Sequence, residues 1–426
     1  MNVHRRTLLR GVVAGTAAVL VAPAVASATS GKKSSPTRNI RYQAWRGAAG
    51  FAAGTPAGTS VSADGLVIDA PVGRFPYTDP FTGGSQDYEY ATWTSPWVSL
   101  EFAASQAVTS WNATTPGGTW VQSELRGVTT ADTTTKWYVM GRWAADDALF
   151  SRTSVPGQAD ADGTVDIDTF VATSGTGLTS WQLRVTLYRP AGSSQTPTVT
   201  SFGAMASLLP PADKYPTSTL LTAGGTALSV PQYSQDVHSG QYPQWDNGGE
   251  AWCSPTSTSM VVAYWGTGPT PADYSWVDPS YADPWVDYAA RNTYDNNYTG
   301  CGNWPFNTAY AGRFGLHAFV TRMRSFNEVE QFIAAGIPVI VSAAFKKNQF
   351  PGATYSTNGH LMVIVGFTPD GDAVMNDPAT ATDSGVRKVF GRDGFETAWR
   401  NSSGGTVYII HPSSVALPAP LSEANW

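Results

Sequence analysis

Glu250-Ala251-Trp252-Cys253-Ser254-Pro255-Thr256-Ser257-Thr258-Ser259-Met260-Val261-Val262-Ala263-Tyr264-Trp265-Gly266 places one of only two cysteines in the chain at the start of a helix. Pro255 falls where a first-turn proline is tolerated. Met260, Val261, Tyr264 and Trp265 then supply apolar positions at helical spacing, and Gly266 stops the pattern. A thiol at a helix N-terminus faces unpaired N–H groups and the positive end of the helix dipole, which favour the thiolate, the reactive form of cysteine. Cysteine is also among the most commonly buried residue types, so within this stretch alone an inert core thiol is an equal reading.

The rest of the chain sets the context. Its 426 residues suggest two or three domains with enough apolar material for real cores. A net charge of −6, with no basic cluster outside the extreme N-terminus, argues against nucleic acid as a partner. At the N-terminus, His4-Arg5-Arg6-Thr7-Leu8-Leu9-Arg10 is followed by an Ala/Val/Gly run over 11–24 and by Ala26-Ser27-Ala28, a small-residue cleavage site. That order is a twin-arginine export signal over residues 1–28, with a flexible segment over 29–39 and a mature start near Thr29. The run is too short and too rich in Ala and Gly for a membrane span, and no later segment reaches the required length. A secreted protein is expected, extracellular or associated with the cell wall. Because this route exports folded chains, the fold should form in a reducing cytoplasm without a bridge between Cys253 and Cys301.

Residues 40–207 read as strands. Thr119-Trp120-Val121-Gln122-Ser123-Glu124-Leu125-Arg126, Lys136-Trp137-Tyr138-Val139-Met140 and Trp181-Gln182-Leu183-Arg184-Val185-Thr186-Leu187-Tyr188 alternate with period two, and no amphipathic helix interrupts them. An all-β, jelly-roll-like sandwich is the expected accessory domain. Its tryptophans, among them Trp93, Trp97, Trp111, Trp120, Trp137, Trp143 and Trp181, fit core packing first, with a platform for a cell-wall or other carbohydrate polymer as the alternative. Asp160-Ala161-Asp162-Gly163 lacks the distal ligands of a calcium loop and reads as a turn. Residues 208–229, with Pro210-Pro211, Pro216 and much Thr, Ser and Gly, read as a linker.

Residues 230–415 mix helices and strands, ahead of a tail over 416–426. Ser325-Phe326-Asn327-Glu328 matches a capping box before a helix over 329–335, which Gly336 ends. Apolar runs at 337–342 and 361–367, then 373–376, 386–390 and 407–410, predict an antiparallel sheet with helices, an α+β domain. A cysteine peptidase needs a thiolate at a helix start, a histidine that takes and returns its proton, and a polar residue that fixes the imidazole. His360 opens one predicted strand and Asp377 closes the next, so the sequence offers these groups in that order. Taken singly, His360 is an ordinary core histidine and Asp377 before Pro378 an ordinary turn residue.

Four stretches together carry a resemblance. Val230-Pro231-Gln232-Tyr233-Ser234-Gln235, Trp252-Cys253-Ser254-Pro255-Thr256-Ser257 through Gly266, Gly359-His360-Leu361-Met362-Val363-Ile364-Val365-Gly366 and Asn376-Asp377-Pro378 are similar, in that order, to the motifs of the bacteriocin-processing-peptidase-like cysteine peptidases of the papain-like clan. The resemblance covers residues 229–412. It implies a papain-like domain with Cys253 as nucleophile, His360 as general base and acid, Asp377 as its orienting partner, and Gln235 as an oxyanion donor beside the Cys253 N–H.

Two departures stand out. Ser254 occupies a position where the family usually has glycine, and 18 positions separate Gln235 from Cys253 (253 − 235), a longer interval than usual. The intervening segment also holds Gln241 and Gln244, and Gln244 is the main rival for the oxyanion role.

The expected activity is hydrolysis of peptide bonds in a peptide or protein substrate through an acyl-enzyme. A cell-wall amidase or transglutaminase-like acyl transferase would use the same triad. A surface-binding protein with a retired peptidase domain is the non-enzymatic alternative. His238, His317 and His411 are scattered without paired ligands, so neither metal nor cofactor is expected, and Cys301 reads as a structural thiol. Trp245, Trp276, Trp285 and Trp304, on the loops around the helix, either line a cleft or pack a small core of their own.

Overall fold

The computed structural model describes residues 38–210 and 216–426. The export-signal reading falls on residues outside these. Within them the chain is multidomain and strand-rich, with antiparallel sheets and few helices. The first half carries two seven-stranded sheets. One runs Gly163–Asp166, Thr169–Ala172, Gln106–Thr114, Thr198–Leu208, Leu66–Ile68 and Thr59–Val61, with Asn39–Arg46 also paired to Thr198–Leu208. The other is centred on Trp120–Thr129, Leu178–Pro190 and Ser85–Thr94.

Period-two alternation explains both faces of the second sheet. Val121 and Leu125 with Leu183, Val185 and Leu187 turn inward, onto a core that they share with Trp45, Trp93, Trp111, Trp143 and Trp181. Most of the tryptophans are therefore packing residues. Trp97 is exposed and Trp137 half-exposed. Asp160 closes a turn, accepting from the N–H groups of Asp162 and Gly163 and from the Tyr138 hydroxyl.

The second half is built on a third seven-stranded antiparallel sheet. Its main path is Leu316–Arg322, Thr406–Pro412, Val339–Phe345, Thr357–Phe367, Ala373–Asn376 and Arg387–Phe390. Thr226–Ala227 adds a short strand on Thr357–Phe367. The preceding residues, read from composition as part of a linker, are tied down as well: the N–H groups of Leu221, Thr222 and Ala223 converge on the Glu330 carboxylate at 2.8, 2.7 and 3.4 Å.

The helix predicted over 329–335 spans Phe326–Ala334, and Gly336 follows it at φ +78°. Its capping box is not made. Glu328 turns to Arg324 instead, accepting from its backbone N–H at 2.7 Å and its guanidinium at 2.8 Å, because the salt-bridged arginine outcompetes a neutral N-cap amide. No helix among the described residues is long and apolar enough to cross a membrane.

The two halves share their cores. Ile40, Tyr42, Val108 and Met205 of the first pack with Phe319, Val320 and Val341 of the second, while Phe306, Ala309 and Tyr310 of the second enter the tryptophan core of the first. Asn112, 1% exposed, imitates a sheet partner across the joint: its amide donates to the Ala318 carbonyl at 2.9 Å and accepts from the Ala318 N–H at 3.1 Å. At the far end of the chain, Ala424 accepts from the Tyr42 N–H at 3.3 Å. Buried Asn425 donates to Arg322 and Glu328 at 2.8 and 2.9 Å, and Trp426 sets its ring edge-on to Phe332 at 4.9 Å.

Candidate active site

The helix around Cys253 spans Cys253–Tyr264, with Trp252 at its N-cap. Its residues 254–262 are buried, so the helix runs through the core of the second half rather than over its surface. Ser257 donates to the Leu361 carbonyl at 3.0 Å, which fixes the start of the helix against the strand that carries His360. Ser254, where a glycine was expected, is fully buried. Its hydroxyl pairs with the Tyr408 hydroxyl at 3.0 Å and so points into the sheet.

His360 and Asp377 come from neighbouring strands, registered by the Val363–Asn376 pair. The His360 Nε2 lies 2.8 Å from the Asp377 Oδ1. A second hydrogen bond joins His360 to the Cys253 side chain. With Nε2 taken by the carboxylate, Nδ1 is the ring atom that serves the thiol. Cys253, His360 and Asp377 thus form one hydrogen-bonded chain.

Asp377 is fully buried, and burying a lone carboxylate costs at least several kcal/mol. Its surroundings offset that cost. The Lys388 ammonium lies 2.7 Å from Oδ2, the Tyr355 hydroxyl donates to both oxygens at 3.1 Å, and the Ala379 N–H donates at 3.0 Å. Burial alone would raise the Asp377 pKa, but His360 and Lys388 outweigh it and hold the carboxyl below its ordinary value. For His360, burial again opposes the charge, yet the hydrogen bonds to Asp377 and Cys253 and their charges prevail and raise it to about 10. The imidazolium is the form of His360 that this arrangement favours.

Lys388 and Tyr355 were not singled out in the sequence. Lys388 had a usable signal: the predicted strand over 386–390 pairs antiparallel with the one ending at Asn376, Met375 opposite Lys388, which brings that side of the strand to the next residue, Asp377. Tyr355 lies on an irregular approach to its strand and offers no periodic signal.

Gln235 sits in a short turn beside the helix start. Its amide donates to the Glu250 carbonyl at 2.9 Å, and its backbone N–H donates to the Pro378 carbonyl at 3.0 Å. Gln235 is 4% exposed, and its Oε1 is buried without a protein partner. Gln244 is exposed, and Gln241 spends its carbonyl on His238 at 2.9 Å. Asn376 locks the entry segment to the same corner, donating to the Pro231 carbonyl at 2.8 Å and accepting from Arg387 at 2.7 Å. The stretches that carried the resemblance therefore interlock around one point.

The long segment before Trp252 packs on itself. Trp245 and Trp276 meet Tyr242 and each other at 5.2 to 5.3 Å, Arg291 lies over both indoles, and the Trp252 indole donates to the Trp245 carbonyl at 2.7 Å. Trp304 is buried. Cys301 is a buried thiol that donates to the Ala290 carbonyl at 3.4 Å.

Near this segment Asp283 faces Asp383, and its carboxyl is pushed up to about 6, first by burial and then by Asp383, with His238 pulling the other way. A carboxyl whose folded pKa exceeds its unfolded one favours folding most at low pH, and that contribution is lost as pH rises to the folded pKa. Asp283→Asn, which keeps a residue type that tolerates the left-handed backbone at φ 43°, should thus raise stability at pH 7.5 by about 1 kcal/mol after discounting for partial exposure. The gain should vanish near pH 4. Urea melts at the two pH values read the difference, and an equal gain at both would remove the carboxyl pair as its cause.

Two family models match the chain. Residues 41–207 match the family described as the peptidase C39 N-terminal domain, and residues 227–407 match the peptidase C39 like family. The second half of the chain belongs to the C39-like peptidases. No curated protein matches the chain. Among solved structures, a Bacillus anthracis protein described as a C39-like peptidase is 17% identical with a TM-score of 0.28, covering 43% of this chain and 96% of its own. A prointerpain A fragment from Prevotella intermedia is 15% identical with a TM-score of 0.23, covering 50% of this chain and 76% of its own.

Proposed function

We propose that the protein is a secreted cysteine peptidase, a papain-like α+β domain behind a jelly-roll-like sandwich, which cleaves peptide bonds with Cys253, His360 and Asp377. The observation that carries this reading is His360, hydrogen-bonded to Asp377 on one side and to Cys253, at a helix start, on the other. The Cys253 thiolate attacks the scissile carbonyl carbon and forms a C–S bond. The His360 imidazolium gives its proton to the departing amine as the C–N bond breaks. Water, deprotonated by His360, then attacks the thioester and releases the acid, and the proton on His360 restores the starting pair.

The tetrahedral oxyanion forms beside the Cys253 N–H, and Gln235 supplies the side-chain donor. One hydrogen of its Nε2 is held by the Glu250 carbonyl, which fixes the amide with its nitrogen toward the helix start and leaves the second hydrogen for the oxyanion. Burial of Gln235 and exposure of Gln244 favour Gln235 in this role.

Labelling by an epoxide probe that requires a thiolate tests the reading. At neutral pH it should modify Cys253 and not Cys301, and His360→Ala should suppress the labelling. Equal labelling of Cys253 with and without His360 would remove the pair from the mechanism.

A further inference from the structure

The outward face of the second sheet, away from the tryptophan core, is not an ordinary solvent face. Gln122, Glu124 and Thr186 point outward by alternation, yet each is between 4 and 8% exposed. Strand register sets the side chains in rows. Tyr90, Tyr188 and Trp120 lie abreast on three adjacent strands, then Thr92, Thr186 and Gln122, then Thr94, Arg184 and Glu124. Successive rows are two residues apart, about 7 Å. An aromatic row thus adjoins a hydroxyl and amide row, and a charged row follows.

A cavity of about 280 Å³ opens over these rows, walled by Phe75 and Tyr90, both half-exposed. Its floor is polar, with its one carboxylate paired to an arginine, and the exposed Arg74 that also lines it lies 3.8 Å from Glu89. Arg184 holds Glu124 through both arms at 2.7 Å, and Thr186 donates to the same carboxylate at 3.3 Å. The Gln122 carbonyl accepts from Arg142 at 2.8 Å, which turns its amide nitrogen the other way.

We propose that this cavity binds a neutral saccharide unit, with the C–H face of the ring on Tyr90 and Phe75 and its hydroxyls on Gln122, Thr92 and Thr186. A sugar ring is apolar on its faces and hydrogen-bonding at its edge, which is the pairing these rows present. The other ligand classes fit worse. A free anion meets Arg184 already bound to Glu124 and Arg74 already beside Glu89. An apolar ligand strands buried amide and hydroxyl groups, at about 1–3 kcal/mol each. A peptide adding as a strand needs an open sheet edge, whereas these central strands are paired on both sides. Nucleic acid has no positive field to follow on a chain of net charge −6. The volume lies near the lower end of small-molecule sites, enough for one ring of a longer polymer.

The test is calorimetric titration of the full chain with cellohexaose, mannohexaose and chitohexaose, with hexaglutamate as a charged control. At least one of the three sugars should bind saturably, and hexaglutamate should not. Tyr90→Ala and Gln122→Leu should each weaken that sugar about tenfold, whereas Trp97→Ala, on an exposed indole that does not line the cavity, should leave it unchanged. Tyr90→Ala changes a partly exposed rim residue, so its melting temperature should stay at the parent value. Absence of binding by all three sugars, unaltered affinity in both cavity variants, or equal binding of hexaglutamate would overturn the proposal.

Discussion

Cys253→Ala should lower kcat/KM for a peptide substrate by about 10⁴-fold or more, while the melting temperature moves little. The two effects separate for a structural reason. Alanine removes the attacking atom and the partner of the imidazole, so no acyl-enzyme can form and only solvent remains as nucleophile. The fold loses one sulfur from a half-buried position at a helix start whose backbone geometry alanine adopts without strain. Steady-state hydrolysis and a thermal melt on the same preparation read both quantities. Residual turnover within tenfold of the parent would place the chemistry elsewhere.

Asp377→Ala should act on rate and on pH dependence together. Its carboxylate is one of the groups that hold His360 charged up to about 10, against a burial effect that works in the opposite direction. Without it burial is opposed by Cys253 alone, so the imidazolium is lost at lower pH, and the sulfur then lacks its counter-charge and proton donor. The expected result is a fall of about 10²–10⁴ in kcat/KM at neutral pH, with the alkaline limb of the pH profile moved toward neutrality. Asp377→Asn should recover part of the rate, because the amide oxygen still orients the ring, but not the position of the limb. An alkaline limb that stays put in both variants would mean that Asp377 positions the ring without setting its charge. Lys388, bonded to the same carboxylate at 2.7 Å, acts one step back, keeping Asp377 ionised.

Much of this site was legible because the chemistry sits where regular structure begins or ends. A proline after the cysteine marked the helix start at Cys253, and apolar runs marked the strands that present His360 and Asp377. Alternation likewise marked the strands containing Trp120 and Trp181. What escaped depended on contacts between segments far apart in the chain. Tyr355 reaches Asp377 from an irregular loop, Glu328 abandons its expected cap for Arg324, and Ser254 resolves its departure from glycine by turning to Tyr408. The loop tryptophans were ambiguous for the same reason, since only the packing of Trp245 on Trp276 distinguishes a small core from a cleft.

The closing contacts of Ala424, Asn425 and Trp426 impose an order on biosynthesis. They join Tyr42 of the first half to Arg322, Glu328 and Phe332 of the second, and they emerge from the ribosome after every element they connect. At about 5–20 residues per second, the 171 positions between Cys253 and Ala424 (424 − 253) amount to roughly 10–30 seconds of synthesis. Throughout that interval the thiol exists while this tie between the halves is still unmade, so the contacts of Ala424, Asn425 and Trp426 form after the shared cores and the Asn112–Ala318 pair have all been synthesised.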